Sequence, residues 1–100
     1  MNIKWISNSV KHGDYFVTHH ADAERQADNL TILQIEEALM SGKIIENYPE
    51  DKRGGSCLVA GFTNSGIPVH AVCGVREKSL VIITIYIPSP PKFKNPYERG

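Results

Sequence analysis

Five side chains in this sequence have the types and spacing to move protons around a phosphate. His20 and Glu24 stand four residues apart, while His70, Thr84 and Tyr86 occupy alternate positions within apolar segments. An imidazole, with an ordinary pKa of about 6.5, serves as acid or base near neutrality. A phenol donates a hydrogen bond to phosphate or stacks on a base, and Lys or Arg supplies positive charge. That inventory suits RNA cleavage without a metal. One group takes the proton of a ribose 2′-hydroxyl, another protonates the leaving oxygen, and cations hold the crowded phosphate. His20, His70, Tyr86 and Glu24 are the candidate catalytic residues. Thr84, Lys52, Arg53 and Lys92 are the candidate RNA or phosphate contacts, the three cations because they lie in the loop before, and the segment after, the strands. Each has a plainer alternative: His70 as a half-buried strand histidine bonded to a carbonyl, Tyr86 as a sheet-edge aromatic.

Other constellations are weaker. His19 and His20 with Glu24, or Cys57 and Cys73 with His70, lack the paired C-x-x-C or H-x-x-x-H spacing of a zinc site. Neither a metal nor a cofactor is expected. No phosphate-cradling glycine motif precedes a helix.

The elements that must position these groups follow from periodicity. Ile3, Ile6 and Val10 recur at helical spacing with Trp5 beside them, and Gly13 ends that segment. Residues 15–17 form a short extended piece, and 19–28 a second helix. Thr31 opens a third, because it can cap the amide of Gln34 while Gln34 reaches back. Its stripe is Ile32, Ile35, Ala38 and Leu39, with Gly42 as the exit. From there the period drops to 2. Strands are expected over 44–48, 56–63, 67–75 and 80–87. The hairpin through Asn64-Ser65-Gly66, with Thr63 opposite Ile67, sets Ala60 across from His70 and Cys57 across from Cys73.

Faces then fix the last hairpin. Val81, Ile83, Ile85 and Ile87 form one apolar set, and Val69, Ala71, Cys73 and Val75 another. Matching them requires an odd-length loop, since a one-residue slip flips every side chain. His70 then shares a face with Thr84 and Tyr86, and helices on the opposite face would leave these three open to water. The expectation is an α+β domain with N-terminal helices on one face of a curved antiparallel sheet of about four strands.

At 100 residues the chain is one domain, and its 41% hydrophobic and 22% charged residues are ordinary globular composition. The formal net charge of +0 excludes a protein that coats nucleic acid by charge alone. Charge is nevertheless uneven. Residues 22–51 hold eight carboxylates against Arg25 and Lys43, and the balance reverses from residue 52 onward. Two distant cysteines and no signal-like start suggest a reducing cytoplasm, with no membrane partner. The stretch 88–100 is proline-rich and reads as a tail lying over the domain.

Taken in order, H20-A21-x-x-E24-x-x-x-D28-x-L30-T31, I44-I45-E46-N47-Y48-P49-E50-D51, S56-C57-L58-V59, V69-H70-A71-V72 and I82-I83-T84-I85-Y86-I87-P88 resemble one bacterial family of unknown function, numbered forty-two fifty-eight, over residues 16–94. The resemblance implies the small fold of RelE-like and MqsR-like messenger-RNA interferases, with RNA as substrate and an MqsA-like zinc-finger antitoxin as partner. It also implies that His20, His70 and Tyr86 occupy the family's helix-histidine, strand-histidine and terminal-strand tyrosine positions. Many relatives carry arginines where this chain has Glu24 and Asp28, so the second helix is not expected to bind phosphate. Glu24 becomes a base or a partner that orients a histidine. The competing expectations are a non-catalytic RNA-binding or protein-interaction module on the same fold, and a homodimer formed through a strand edge.

Overall fold

Three helices begin where a short polar side chain can satisfy a free amide. In a computed structural model, which describes residues 1–52, 54–89 and 97 and the backbone of 93–95 and 98–99, Asn2, Thr18 and Thr31 accept the N–H groups of Lys4, Ala21 and Gln34. They open α1 (Ile3–Lys11), α2 (His19–Ala27) and α3 (Ile32–Met40). The expected capping box at Thr31 and Gln34 is present in both directions.

The strands are β1 (Tyr15–Val17), β2 (Lys43–Tyr48), β3 (Ser56–Phe62), β4 (Pro68–Arg76) and β5 (Ser79–Tyr86). They form one sheet in the order β1-β5-β4-β3-β2. Four of them are antiparallel neighbours, as the alternation predicts. The fifth corrects the expected count: β1 adds to the edge of β5 in parallel, pairing Phe16 with Val81. Two short strands, β6 (Phe93–Asn95) and β7 (Glu98–Arg99), pair with each other inside the proline-rich stretch.

Helices α1 and α3 pack on one face of the sheet, and α2 runs beside β5. Ile6, Val10, Ile35, Ala38 and Leu39 meet Cys57, Val59, Val69, Ala71, Cys73, Leu80, Ile82 and Ile85 in the core. The approach of α3 to β3 is very close. A Cβ on Gly61 would lie 2.0 Å from the Ala38 carbonyl oxygen, and one on Gly42 would lie 2.7 Å from the same atom. Gly42 is therefore required by packing, and not by a left-handed helix exit. Cys57 and Cys73 face each other as buried free thiols, and burial pushes the Cys57 thiol up to about 11. No helix among the described residues is long and apolar enough to cross a membrane.

The β3–β4 register is the expected one, with Ala60 opposite His70, Cys57 opposite Cys73, and Gly66 at φ +90° in the turn. The β4–β5 hairpin reaches its expected outcome by another route. Its loop is the two-residue Glu77-Lys78, both at positive φ, which is even in length. Parity is restored by a bulge between Val72 and Cys73, where pairing jumps from Thr84 to Ile82. Near the turn, Leu80 and Ile82 therefore face the helices. Val81 and Ile83, expected there, lie on the opposite face, where both flank Gly74.

Candidate functional site

The sheet face opposite the helices is ordered in rows across the strands. Register places Lys43, Ala60, His70 and Tyr86 in one row, and Glu46, Leu58, Val72 and Thr84 in the next. A third holds Tyr48, Ser56, Gly74 and Val81, continued to Phe16 by β1. His70 and Tyr86 are thus cross-strand partners. The His70 Nδ1 lies 3.2 Å from the Tyr86 hydroxyl, with ring centroids 5.2 Å apart and the planes inclined at 62°. Thr84 lies one step along the same face. The predicted grouping of these three residues is what the backbone produces.

Their expected exposure is not. His70 is 0% exposed, and Leu58, Ala60 and Val81 on the same face are also buried. The imidazole does not project into water. The centre of the face is buried, whereas Val72, Thr84 and Tyr86 around it are half-buried and Lys43 and Phe16 farther out are exposed. A buried imidazole needs a polar partner, because an unsatisfied one costs about 1–3 kcal/mol; the Tyr86 hydroxyl is one such partner.

His20 has the opposite character. Its side chain is 70% exposed, and Nε2 lies 3.2 Å from Glu24 Oε1, one helical turn on. The same carboxylate oxygen accepts the Ile85 N–H at 3.0 Å. Beyond Val17 the outer edge of β5 no longer has β1 to pair with. Thr18 takes over by donating its hydroxyl to the Ile83 carbonyl at 3.0 Å, and Glu24 follows by accepting the next free amide. One oxygen thereby ties the imidazole to the residue immediately before Tyr86. Glu24 is an edge cap as well as a histidine partner.

Of the three predicted cations, Lys52 falls within the described residues. Lys52 is exposed in the β2–β3 loop, which leaves the sheet beyond the Tyr48–Ser56 pair, two rows away from His70 and Tyr86. Arg53 and Lys92 lie outside the described residues. The sequence reading also missed Lys43, Glu46 and Tyr48, which share this face. A bulge at Ile45 shifts the register between Ile44 and Glu46 and turns the latter outward; the adjacent Ile44-Ile45 doublet, breaking strict alternation, is its signal. The Tyr48 hydroxyl donates to Glu46. Lys43 extends its ammonium over the Tyr97 ring, 4.1 Å from the centroid, and Tyr97 packs edge-on against Phe62 at 5.7 Å. Among the described residues no group of three or more His, Cys, Asp or Glu is arranged to hold a metal ion.

The molecule is thus a mixed α+β domain whose polar side chains line one face of a five-stranded sheet. The chain belongs to the family described as a domain of unknown function, DUF4258, whose model matches residues 17–87. That span includes His20, Glu24, His70, Thr84 and Tyr86, and leaves out α1. No curated protein and no solved structure matches the chain.

Proposed function

We propose that the protein is a toxin-type endoribonuclease, akin to the RelE-like and MqsR-like messenger-RNA interferases, that cleaves RNA by histidine-assisted attack of the 2′-hydroxyl without a metal. The observation that carries this reading is the single Glu24 oxygen bonded to both His20 and the Ile85 amide, which holds an exposed imidazole beside the strand bearing Tyr86. With Nε2–H directed at Glu24, Nδ1 of His20 keeps the lone pair and acts as the base. It removes the 2′-hydroxyl proton, the 2′-oxygen bonds to phosphorus, and a 2′,3′-cyclic phosphate forms as the bond to the 5′-oxygen breaks. The leaving oxygen takes its proton from the Tyr86 phenol. The 3.2 Å contact of His70 Nδ1 with the Tyr86 hydroxyl orients that phenol toward the leaving oxygen. His70 is then a positioning residue that acts through Tyr86, while Thr84 contacts phosphate or base. A reducing cytoplasm suits the two free thiols, and an MqsA-like zinc-finger antitoxin is the proposed partner.

Purified protein incubated with total RNA and a chelator is expected to generate cyclic-phosphate ends. His20→Ala is expected to reduce cleavage by at least about 100-fold with an unchanged thermal midpoint, because the side chain is mostly in water. Undiminished cleavage by that variant would remove His20 from the mechanism. Expression is expected to arrest growth, and a co-expressed zinc-finger partner to relieve the arrest. The burial of His70 favours a second reading, a non-catalytic RNA-binding or protein-interaction module. Harmless expression, with RNA retained on a column of the protein but uncut, would select it.

A further inference from the structure

The same sheet face carries a cavity of about 370 Å³ at the end remote from His70. Val81 and Ile83 wall it, Gly74 contributes bare backbone, and Thr18, Gly55, Val75, Arg76 and Glu77 complete the lining. Gly74 keeps it open: a Cβ there would lie 3.0 Å from the end of Ile83 and 3.6 Å from Val81. Phe16, paired with Val81 and on the same face, stands beside it with 53% of its surface exposed. An exposed aromatic ring, an apolar slot and a cation are the parts from which sequence-tolerant single-strand sites are built, where stacking holds the base and Arg or Lys holds the backbone. The volume is at the small end for ligand pockets and suits one planar ring system better than a helix or folded segment.

We propose that this cavity is a subsite for one base of single-stranded RNA, stacked on Phe16, with Arg76 holding the adjoining phosphate. The choice of ligand rests on the ribonuclease reading above. Gly74 is four residues from His70 along β4, roughly 13 Å at strand rise, so a strand with a base here has its backbone a few nucleotides on at Tyr86. The Glu77 carboxylate, which only accepts, selects a base edge that presents N–H groups.

Titrating the intact protein with each of the four nucleoside monophosphates, followed by amide NMR shifts, tests the site. Saturable shifts are expected at Gly55, Gly74 and Ile83. Phe16→Ala, an exposed change, is expected to weaken binding of a short unstructured RNA about tenfold. Arg76→Gln is expected to lower the salt dependence of that binding by about one phosphate contact. Ile83→Trp, filling the cavity, is expected to abolish the mononucleotide shifts, and His20→Ala to leave them unchanged. Absent shifts at about 10 mM nucleotide, far above any useful Kd, or RNA affinity indifferent to Phe16→Ala, would overturn the assignment. So would a cavity that responds only to a protein partner. Binding here without RNA cleavage would overturn the ribonuclease reading and leave the subsite standing; cleavage without these shifts would do the reverse.

Discussion

The two faces of the sheet are specified by different physics. On the helix-covered face, Val59, Val69, Ala71, Ile82 and Ile85 meet aliphatic helix residues, and contact is close enough that two positions allow no side chain at all. Volume decides what fits there. On the opposite face, His70 is as deeply buried as any core isoleucine, yet Tyr86 and Thr84 lie beside it and Glu46 and Tyr48 share the face. Partners decide what fits there, and among the described residues no buried side-chain nitrogen or oxygen lacks one. Burial alone therefore does not distinguish a core from a candidate site in this domain; the chemistry of what is buried does.

That contrast is open to attack from both sides. The largest effect is expected from Gly61→Ala, whose added carbon collides with the Ala38 backbone and pushes α3 off the sheet. A loss of about 3 kcal/mol or more, read by denaturant unfolding, would match. A near-neutral result would mean that the helix layer yields more than a close-packed core should. Next comes His70→Ala, expected to cost about 2–3 kcal/mol by opening a cavity and removing the imidazole's hydrogen bond with the Tyr86 hydroxyl. His70→Gln, which retains a donor and an acceptor, should recover part of that loss. Equal stability of the two variants would show that volume, and not hydrogen bonding, governs this face too.

The smallest effect belongs to the rim of the helix-covered side. The Tyr15 hydroxyl donates to Glu36 Oε2 on α3 at 2.6 Å. Burial, then the Glu36 hydrogen bond and the charge of that carboxylate, raise the phenol from 10.0 to about 12. The folded state therefore holds this proton more tightly than the unfolded chain. Its contribution is intact below pH 10 and disappears as the pH rises to about 12. Tyr15→Phe is expected to cost about 1 kcal/mol at neutral pH. It should also flatten the fall of stability across that alkaline window. An unchanged slope would place the alkaline sensitivity elsewhere.

Local signals in the sequence are legible because they act over a few residues. The Thr31–Gln34 capping box, the glycine of the Thr63–Ile67 turn and the resulting β3–β4 pairing need only short-range geometry. Residues 15–17 are recognisable as extended, but their parallel docking on β5 depends on a partner 65 positions away in the pairing of Tyr15 with Leu80. The grouping of His70, Thr84 and Tyr86 is right for an incomplete reason: the alternation requires a one-residue correction, and the chain makes it by a bulge and not by its loop. The solvent side of that group is not legible at all. An alternating strand states which residues share a face, but not how much of that face is exposed, and His70 at 0% is a matter of the second.

The bulge in the β4–β5 ribbon has one more consequence. It splits the hairpin into two stretches with independent phase, so the turn at Glu77-Lys78 answers only for the stretch nearest it. A change in the length of that turn can be absorbed at the irregularity before it reaches Tyr86. The end of the ribbon holding the phenol is thereby insulated from the end where natural loops most readily gain or lose a residue.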